Sequence, residues 1–377
     1  MTVLSVIGTR PEAIKMAPVI RALKQRREHV RSLVCVTGQH RQMLTPALRL
    51  FDICPDCDLE LMKPDQQLYR LTGDMLAALG RYVEHVRPDW ILAQGDTTTV
   101  LVAALVAFYQ SVRFGHVEAG LRTGDRRQPF PEEMNRRLAD MVADAYFAPT
   151  VRAREALLKE GVPAEAIHVT GNTVVDALLD VAGRGYDWSS GPLAGLRGCG
   201  WIVLVTAHRR ESFGAPLRRA FLAVRDLAKA FERDGGHFVY PVHLNPNVRR
   251  PAMKILSGLK NVHLLEPLDY LSFVHLMKRS RLILTDSGGI QEEAPSLGVP
   301  VLVMRDRTER AEGVEAGAVR LVGTQREGIR AAAERLLRDP ATRAEMAATA
   351  NPYGDGRAAE RIVAALLGQA GVMELAA

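Results

Sequence analysis

The feature that most constrains this chain is a repeated alternation. A short run of β-branched and other apolar residues is followed by a polar or glycine loop, and then by a longer stretch with helical spacing. Such runs joined by crossover helices build parallel sheets, because a parallel neighbour is out of reach of a tight turn. Six strands are expected in the first half, at 3–7, 33–36, 90–93, 114–117, 145–148 and 167–170. Residues 183–200 have no apolar period and hold six glycines, one proline and two serines, so they read as a linker. The alternation restarts at 201–206, 238–242, 262–265, 282–285, 301–304 and 318–322. The expected fold is α/β: two Rossmann-like doubly wound parallel-sheet domains facing a cleft, at 1–182 and 183–356. A last helix within 357–377 is expected to pack back on the first domain.

The length of 377 residues agrees with two domains, and 47% apolar with 24% charged residues marks a folded globular chain. A net charge of +6 favours anionic ligands. No basic run interleaved with aromatics appears, so nucleic acid is not expected as a partner. The opening apolar stretch is too short for a leader, and the longest apolar run, 100–109, is about half a membrane span. A cytoplasmic protein with no membrane partner is expected. Of four cysteines only Cys54 and Cys57 are suggestively spaced, and a lone C-x-x-C reads as reduced structural thiols. No carboxylate and histidine spacing has the look of a metal site, so no metal is expected.

Ligands of open parallel sheets sit beyond the carboxyl ends of the strands. Here those positions are Gly8-Thr9-Arg10, Thr37-Gly38-Gln39-His40, Gln94-Gly95-Asp96-Thr97, Glu118-Ala119-Gly120, Ala207-His208-Arg209-Arg210, His243-Leu244-Asn245 and Asp286-Ser287-Gly288-Gly289. Turn chemistry explains glycine and asparagine there, but not this concentration of arginine, histidine and carboxylates. Ser287, Gly288 and Gly289 open a helix whose free amides can hold a phosphate, or else Ser287 is a plain cap. Glu293, further along, can accept both hydroxyls of a ribose or lie on a solvated face. Arg10 and Lys15 offer cations, although Lys15 on spacing alone is an ordinary helix lysine. Asp96, Glu118 and Glu132 are candidates for proton transfer. Asp96 also suits a cap, and Glu132 the first turn of a helix. Glu118 continues an apolar strand straight into a carboxylate. His208 can neutralise a diphosphate, donate a proton or merely cap. The glycine signatures of dinucleotide dehydrogenases and P-loop enzymes do not occur.

Read in order, several strings resemble the bacterial non-hydrolysing UDP-N-acetylglucosamine 2-epimerases. They include Gly8-Thr9-Arg10-Pro11-Glu12, Thr37-Gly38-Gln39-His40-Arg41, Gly95-Asp96-Thr97-Thr98-Thr99, His116-Val117-Glu118-Ala119-Gly120, Pro131-Glu132-Glu133, His208-Arg209-Arg210-Glu211, Thr285-Asp286-Ser287-Gly288-Gly289 and Thr308-Glu309-Arg310. The resemblance implies a glycosyltransferase-B arrangement, a homodimer and no external cofactor. It also implies interconversion of UDP-N-acetylglucosamine and UDP-N-acetylmannosamine through elimination of UDP to 2-acetamidoglucal and re-addition. By position, Asp96, Glu118 and Glu132 resemble the acid and base carboxylates, with Arg10, Lys15 and His208 around the diphosphate and sugar. Ser287, Gly288 and Gly289 resemble the phosphate loop, Glu293 the ribose ligand, Phe273 part of the uridine pocket and Arg310 a nucleotide-sugar contact. Leu268 stands where relatives can carry glutamine. A second, activating site for UDP-N-acetylglucosamine is implied near Gln39, His40, Gln42 and Arg209, with Asp65 at a neighbouring position that is basic in some members.

Overall fold

The computed structural model describes residues 1–38, 41–61 and 66–368, the side chains of 41–43 excepted. The chain forms two compact units, Met1–Ala177 with the stretch from Tyr353 onward, and Leu178–Pro352.

The first unit carries β1 (Thr2–Ile7), β2 (Arg31–Val36), β3 (Cys57–Asp58), β4 (Trp90–Gln94), β5 (Arg113–Val117), β6 (Ala145–Ala148) and β7 (Ile167–Val169). They lie in the order β3-β2-β1-β4-β5-β6-β7, every pair parallel. The second carries β8 (Trp201–Thr206), β9 (Gly236–Pro241), β10 (Val262–Leu265), β11 (Ser280–Thr285), β12 (Val301–Val303) and β13 (Val319–Leu321), ordered β10-β9-β8-β11-β12-β13 and again all parallel. In each sheet the winding starts at a central strand, runs outward, and returns past that strand. The crevice where the direction reverses lies between β1 and β4 in the first sheet and between β8 and β11 in the second, which is where ligands of this fold enter.

Strands covered on both faces read as continuous apolar runs, and the central ones are buried along their length. Phe114, Leu4, Val6, Ile91 and Leu79 belong to one core, and Phe221, Phe238, Tyr240, Val203 and Leu284 to another. At about 25 cal/mol per Å² of apolar surface removed from water, these clusters are the main source of each unit's stability.

Residues 183–200 are folded onto the second unit. Leu193 and Leu196 are buried there, and Tyr186 stacks on His275 at 4.9 Å and donates to Ser272 Oγ at 3.1 Å. The division between units falls inside the helix Thr173–Gly183. The last described helix, Ala358–Leu366, packs against the helix Arg10–Gln25 of the first unit. Its first amides, Ala358 and Ala359, donate to Asp176 at 3.2 and 2.8 Å. Among the described residues no helix is long and apolar enough to cross a membrane.

Candidate active site

In the first unit the β1 turn is fixed by Glu12, which is buried and accepts from the amides of Gly8 at 2.5 Å and Thr9 at 3.1 Å. That anchors the helix Arg10–Gln25 with Arg10 exposed at its start and Lys15 one turn in. Lys15 Nζ lies 2.5 Å from Glu118 Oε2, and Gln94 Nε2 donates to the same oxygen at 3.1 Å. Glu118 has φ of 67°, a left-handed conformation that costs a non-glycine residue on the order of 1 kcal/mol or more. Its amide donates to the Phe147 carbonyl, so the strained turn is tied to β6.

Asp96 follows β4, the immediate neighbour of β5, and its carboxylate meets Arg136 at 2.7 Å. Asn135 Nδ2 donates to the Asp96 carbonyl at 3.0 Å, which seats the helix Glu132–Asp140 on the Asp96 turn. At the start of that helix Glu132 Oε2 is buried and has no hydrogen-bond partner. An orphaned buried carboxylate oxygen carries a desolvation cost and calls for an explanation. Glu133 has the opposite fate: it is fully buried and accepts from the amides of Thr123 and Gly124.

Beneath this turn His116 is enclosed, with Nδ1 at 2.6 Å from Asp140 Oδ1 and Nε2 at 2.7 Å from the Gly95 carbonyl. Burial would push its pKa down, but Asp140 outweighs it and carries the imidazole above its ordinary value. Both ring nitrogens face acceptors, so the ring is a cation and braces Gly95 beside Asp96. Arg122 holds the other Asp140 oxygen at 2.6 Å.

In the second unit the loops after β8 and β11 are tied together. The amides of His208 and Arg209 donate to the Asp286 carboxylate at 2.9 Å each. His208 stacks on His243 at 5.5 Å, and burial, with help from His243 and Arg209, holds it below the ordinary imidazole range despite Asp286. Gly288 is buried; a methyl group there would lie 3.0 Å from Arg209 Nη2 and 3.8 Å from Arg310 Cζ. Two guanidinium groups thus adjoin the Ser287-Gly288-Gly289 turn. They are held by Glu309, which pairs with Arg209, and by Glu292, whose Oε1 accepts from Arg310 Nε at 2.5 Å. Burial raises the Glu309 carboxyl, but Arg209, Arg310 and Arg305 bring it down to about 2. Glu293 is buried, not on a solvated face, and accepts from the Tyr270 hydroxyl at 2.8 Å. Phe273 is half-buried on the same helix as Tyr270.

Gln94, Arg136, Tyr270 and Glu309 were not expected as site residues. Each is paired with an expected one over 23 residues or more of sequence, a distance at which spacing carries no signal, although Glu309 also stands beside Arg310. Gln39, His40, Gln42 and Asp65 lie outside the described residues or side chains.

The family model for UDP-N-acetylglucosamine 2-epimerase matches residues 21–367. The chain belongs to this family. It is 54% identical over 370 residues to a probable UDP-N-acetylglucosamine 2-epimerase of Ralstonia nicotianae, covering 97% of this chain and 98% of that one. A putative epimerase of Listeria monocytogenes has a crystal structure that superposes with a TM-score of 0.91 at 47% identity, over 97% of this chain and 95% of that one. The epimerase of Neisseria meningitidis, solved bound to UDP-N-acetylglucosamine, gives 0.87 at 46% identity, over 98% and 100%. The chain is thus an isomerase of the epimerase class, with the fold expected from its strand pattern.

Proposed function

We propose that this epimerase is non-hydrolysing and interconverts UDP-N-acetylglucosamine and UDP-N-acetylmannosamine by elimination and re-addition of UDP. The observation that carries the reading is Glu118, a carboxylate in a strained turn gripped by Lys15 and Gln94.

No carbonyl adjoins C2 of the sugar, so its proton is not acidic in the ground state. It departs as the C1–O bond breaks, its electron pair forming the C1–C2 double bond while the C1–O pair leaves with UDP. Re-addition of the UDP oxygen to C1 with protonation of C2 from the opposite face inverts that centre. Two proton-transfer groups on opposite faces are required, and Asp96, Glu118 and Glu132 supply the carboxylates. Lys15 and Arg10 meet charge developing on the departing diphosphate, and His208 donates a hydrogen bond there. Arg209 and Arg310 beside the glycine turn give the phosphates a positive surround, while Glu293, oriented by Tyr270, takes the ribose hydroxyls and Phe273 packs on the base. The nucleotide thereby stays bound while the sugar is a glycal.

The same reading extends to domains near 1–182 and 183–356, a homodimer, a cytoplasmic setting, and a second, activating UDP-N-acetylglucosamine site near Gln39, His40, Gln42 and Arg209.

Proton NMR of UDP-N-acetylglucosamine with the enzyme in D2O tests the mechanism. UDP-N-acetylmannosamine deuterated at C2, with little free UDP, is the expected outcome. Free N-acetylmannosamine with stoichiometric UDP would make the enzyme hydrolysing, and product without deuterium would exclude exchange at C2.

A further inference from the structure

At the other end of the second sheet, away from His208 and Asp286, three chemistry-bearing side chains meet. Cys199 stands just ahead of β8, His237 is the second residue of β9, and His263 is the second of β10. Their positions are the amino ends of strands whose carboxyl ends carry the candidate active site. Six residues of β8 separate them from it, about 20 Å at the rise of a strand.

Side chains alternate across a sheet, and Phe238, Tyr240, Val262 and Leu264 face the apolar core. His237 and His263 therefore emerge on the opposite face, side by side, where residues 196–200 cross and bring in Cys199. His263 Nε2 is 3.0 Å from His237 Nδ1 and 3.8 Å from Cys199 Sγ, and all three atoms lie within 4.8 Å of one another. Among the described residues this is the group of three potential metal ligands with such convergence.

We propose that Cys199, His237 and His263 form a site for a borderline divalent transition-metal ion, zinc foremost, separate from the active site. In a tetrahedral zinc site, bonds of about 2.3 Å to sulfur and 2.0–2.1 Å to nitrogen put the ligand atoms roughly 3.3–3.6 Å apart. The His263–His237 separation of 3.0 Å and the His263–Cys199 separation of 3.8 Å lie within about half an ångström of these, and the third, within 4.8 Å, needs a shift of little more than an ångström at most. One thiolate and two imidazoles suit zinc and not magnesium or calcium, which take oxygen ligands. Three protein donors leave the fourth position to water. All three residues are half-buried, so the site is within reach of solvent.

Protons balance simply. The proton on the nitrogens facing each other in the histidine pair moves to an outward ring nitrogen, and the Cys199 thiol gives its proton to solvent. Arg279 donates to the Cys199 carbonyl at 3.0 Å and so fixes the backbone beside the thiol. Occupancy would pin residues 196–200 to the sheet edge. The reaction itself does not depend on the ion.

The test is titration of chelator-treated full-length protein with cobalt(II), then displacement by zinc, with calorimetry in two buffers of different ionisation enthalpy. One ion per chain is expected, with a thiolate-to-cobalt charge-transfer band lost on zinc addition and release of about one proton. The band should vanish in Cys199→Ser and persist in Cys54→Ser. Affinity should drop about tenfold or more in His263→Ala, since even partners of a ligand are worth that much. Zinc should raise the Tm of the wild type and not of Cys199→Ser, with epimerase turnover of that variant unchanged as proof of folding. Absence of the band, or a band that survives Cys199→Ser, overturns the proposal and leaves the trio a hydrogen-bonded cluster only.

Discussion

Lys15 Nζ and Glu118 Oε2 lie 2.5 Å apart although 103 residues separate them in sequence. The contact joins the helix that follows β1 to the turn after β5, on either side of β4. It holds a carboxylate in a conformation its own backbone disfavours, with Glu118 at φ of 67°. Removing the charge while keeping the shape isolates the chemical role. Glu118→Gln should lower turnover by a factor of about 10²–10⁴, the usual worth of a positioned acid or base, and leave UDP affinity within a few-fold. Steady-state kinetics alongside UDP calorimetry measure both, and retained turnover would remove Glu118 from the catalytic set.

Glu132 makes the complementary case. Its buried Oε2 has no partner, so the folded protein bears a desolvation cost with no structural return. Glu132→Gln is expected to lose at least about a hundredfold in turnover while Tm stays level or rises. A fall of several degrees in Tm would show instead that the carboxylate stabilises the helix Glu132–Asp140.

The phosphate turn is open to a gentler perturbation. A methyl group at Gly288 would lie 3.0 Å from both Arg209 Nη2 and Glu309 Oε1, the mobile ends of two long side chains. The fold can absorb Gly288→Ala by moving that pair, but the surface a phosphate would occupy cannot. UDP affinity should drop by roughly tenfold, about 1.4 kcal/mol, with Tm nearly unchanged. Unaltered affinity would move the diphosphate away from this turn.

Much of the architecture is legible in the sequence because parallel strands buried on both faces are written as uninterrupted apolar runs, and twelve of these stand out. Strand β3 does not, since Cys57–Asp58 is two residues long, half exposed, and has no run to reveal it. The glycines of 183–200 suggest a linker, yet Tyr186, Leu193 and Leu196 find partners that only the fold supplies. At the candidate site the strand-end positions expose Asp96, Glu118, His208 and Ser287. What spacing cannot show is who holds them: Arg136 for Asp96, Gln94 for Glu118, Tyr270 for Glu293. The meeting of Cys199 with His263, 64 residues on, is invisible for the same reason.

Asp176 gives the final prediction, through pH. It is buried, accepts from the amides of Ala358 and Ala359, and so carries the attachment of the last helix. Burial raises its pKa from 3.8 to about 6; the Ala359 and Ala358 amides oppose that and the Asp355 carboxylate adds to it. Below the unfolded value the group is protonated in both states and contributes nothing. As pH climbs from there to about 6 the native state holds the proton more tightly than the unfolded chain, so stability falls. Above that the loss is constant, about 3 kcal/mol for a two-unit gap. Asp176→Asn has no proton to lose and should escape this decline, although its amide satisfies the two backbone donors less well. The stability of the wild type relative to Asp176→Asn, from urea unfolding, should therefore drop by about 2–3 kcal/mol between pH 4 and pH 7. A difference that does not vary with pH would mean that the amides of Ala358 and Ala359 stabilise the carboxylate fully and that its burial costs nothing.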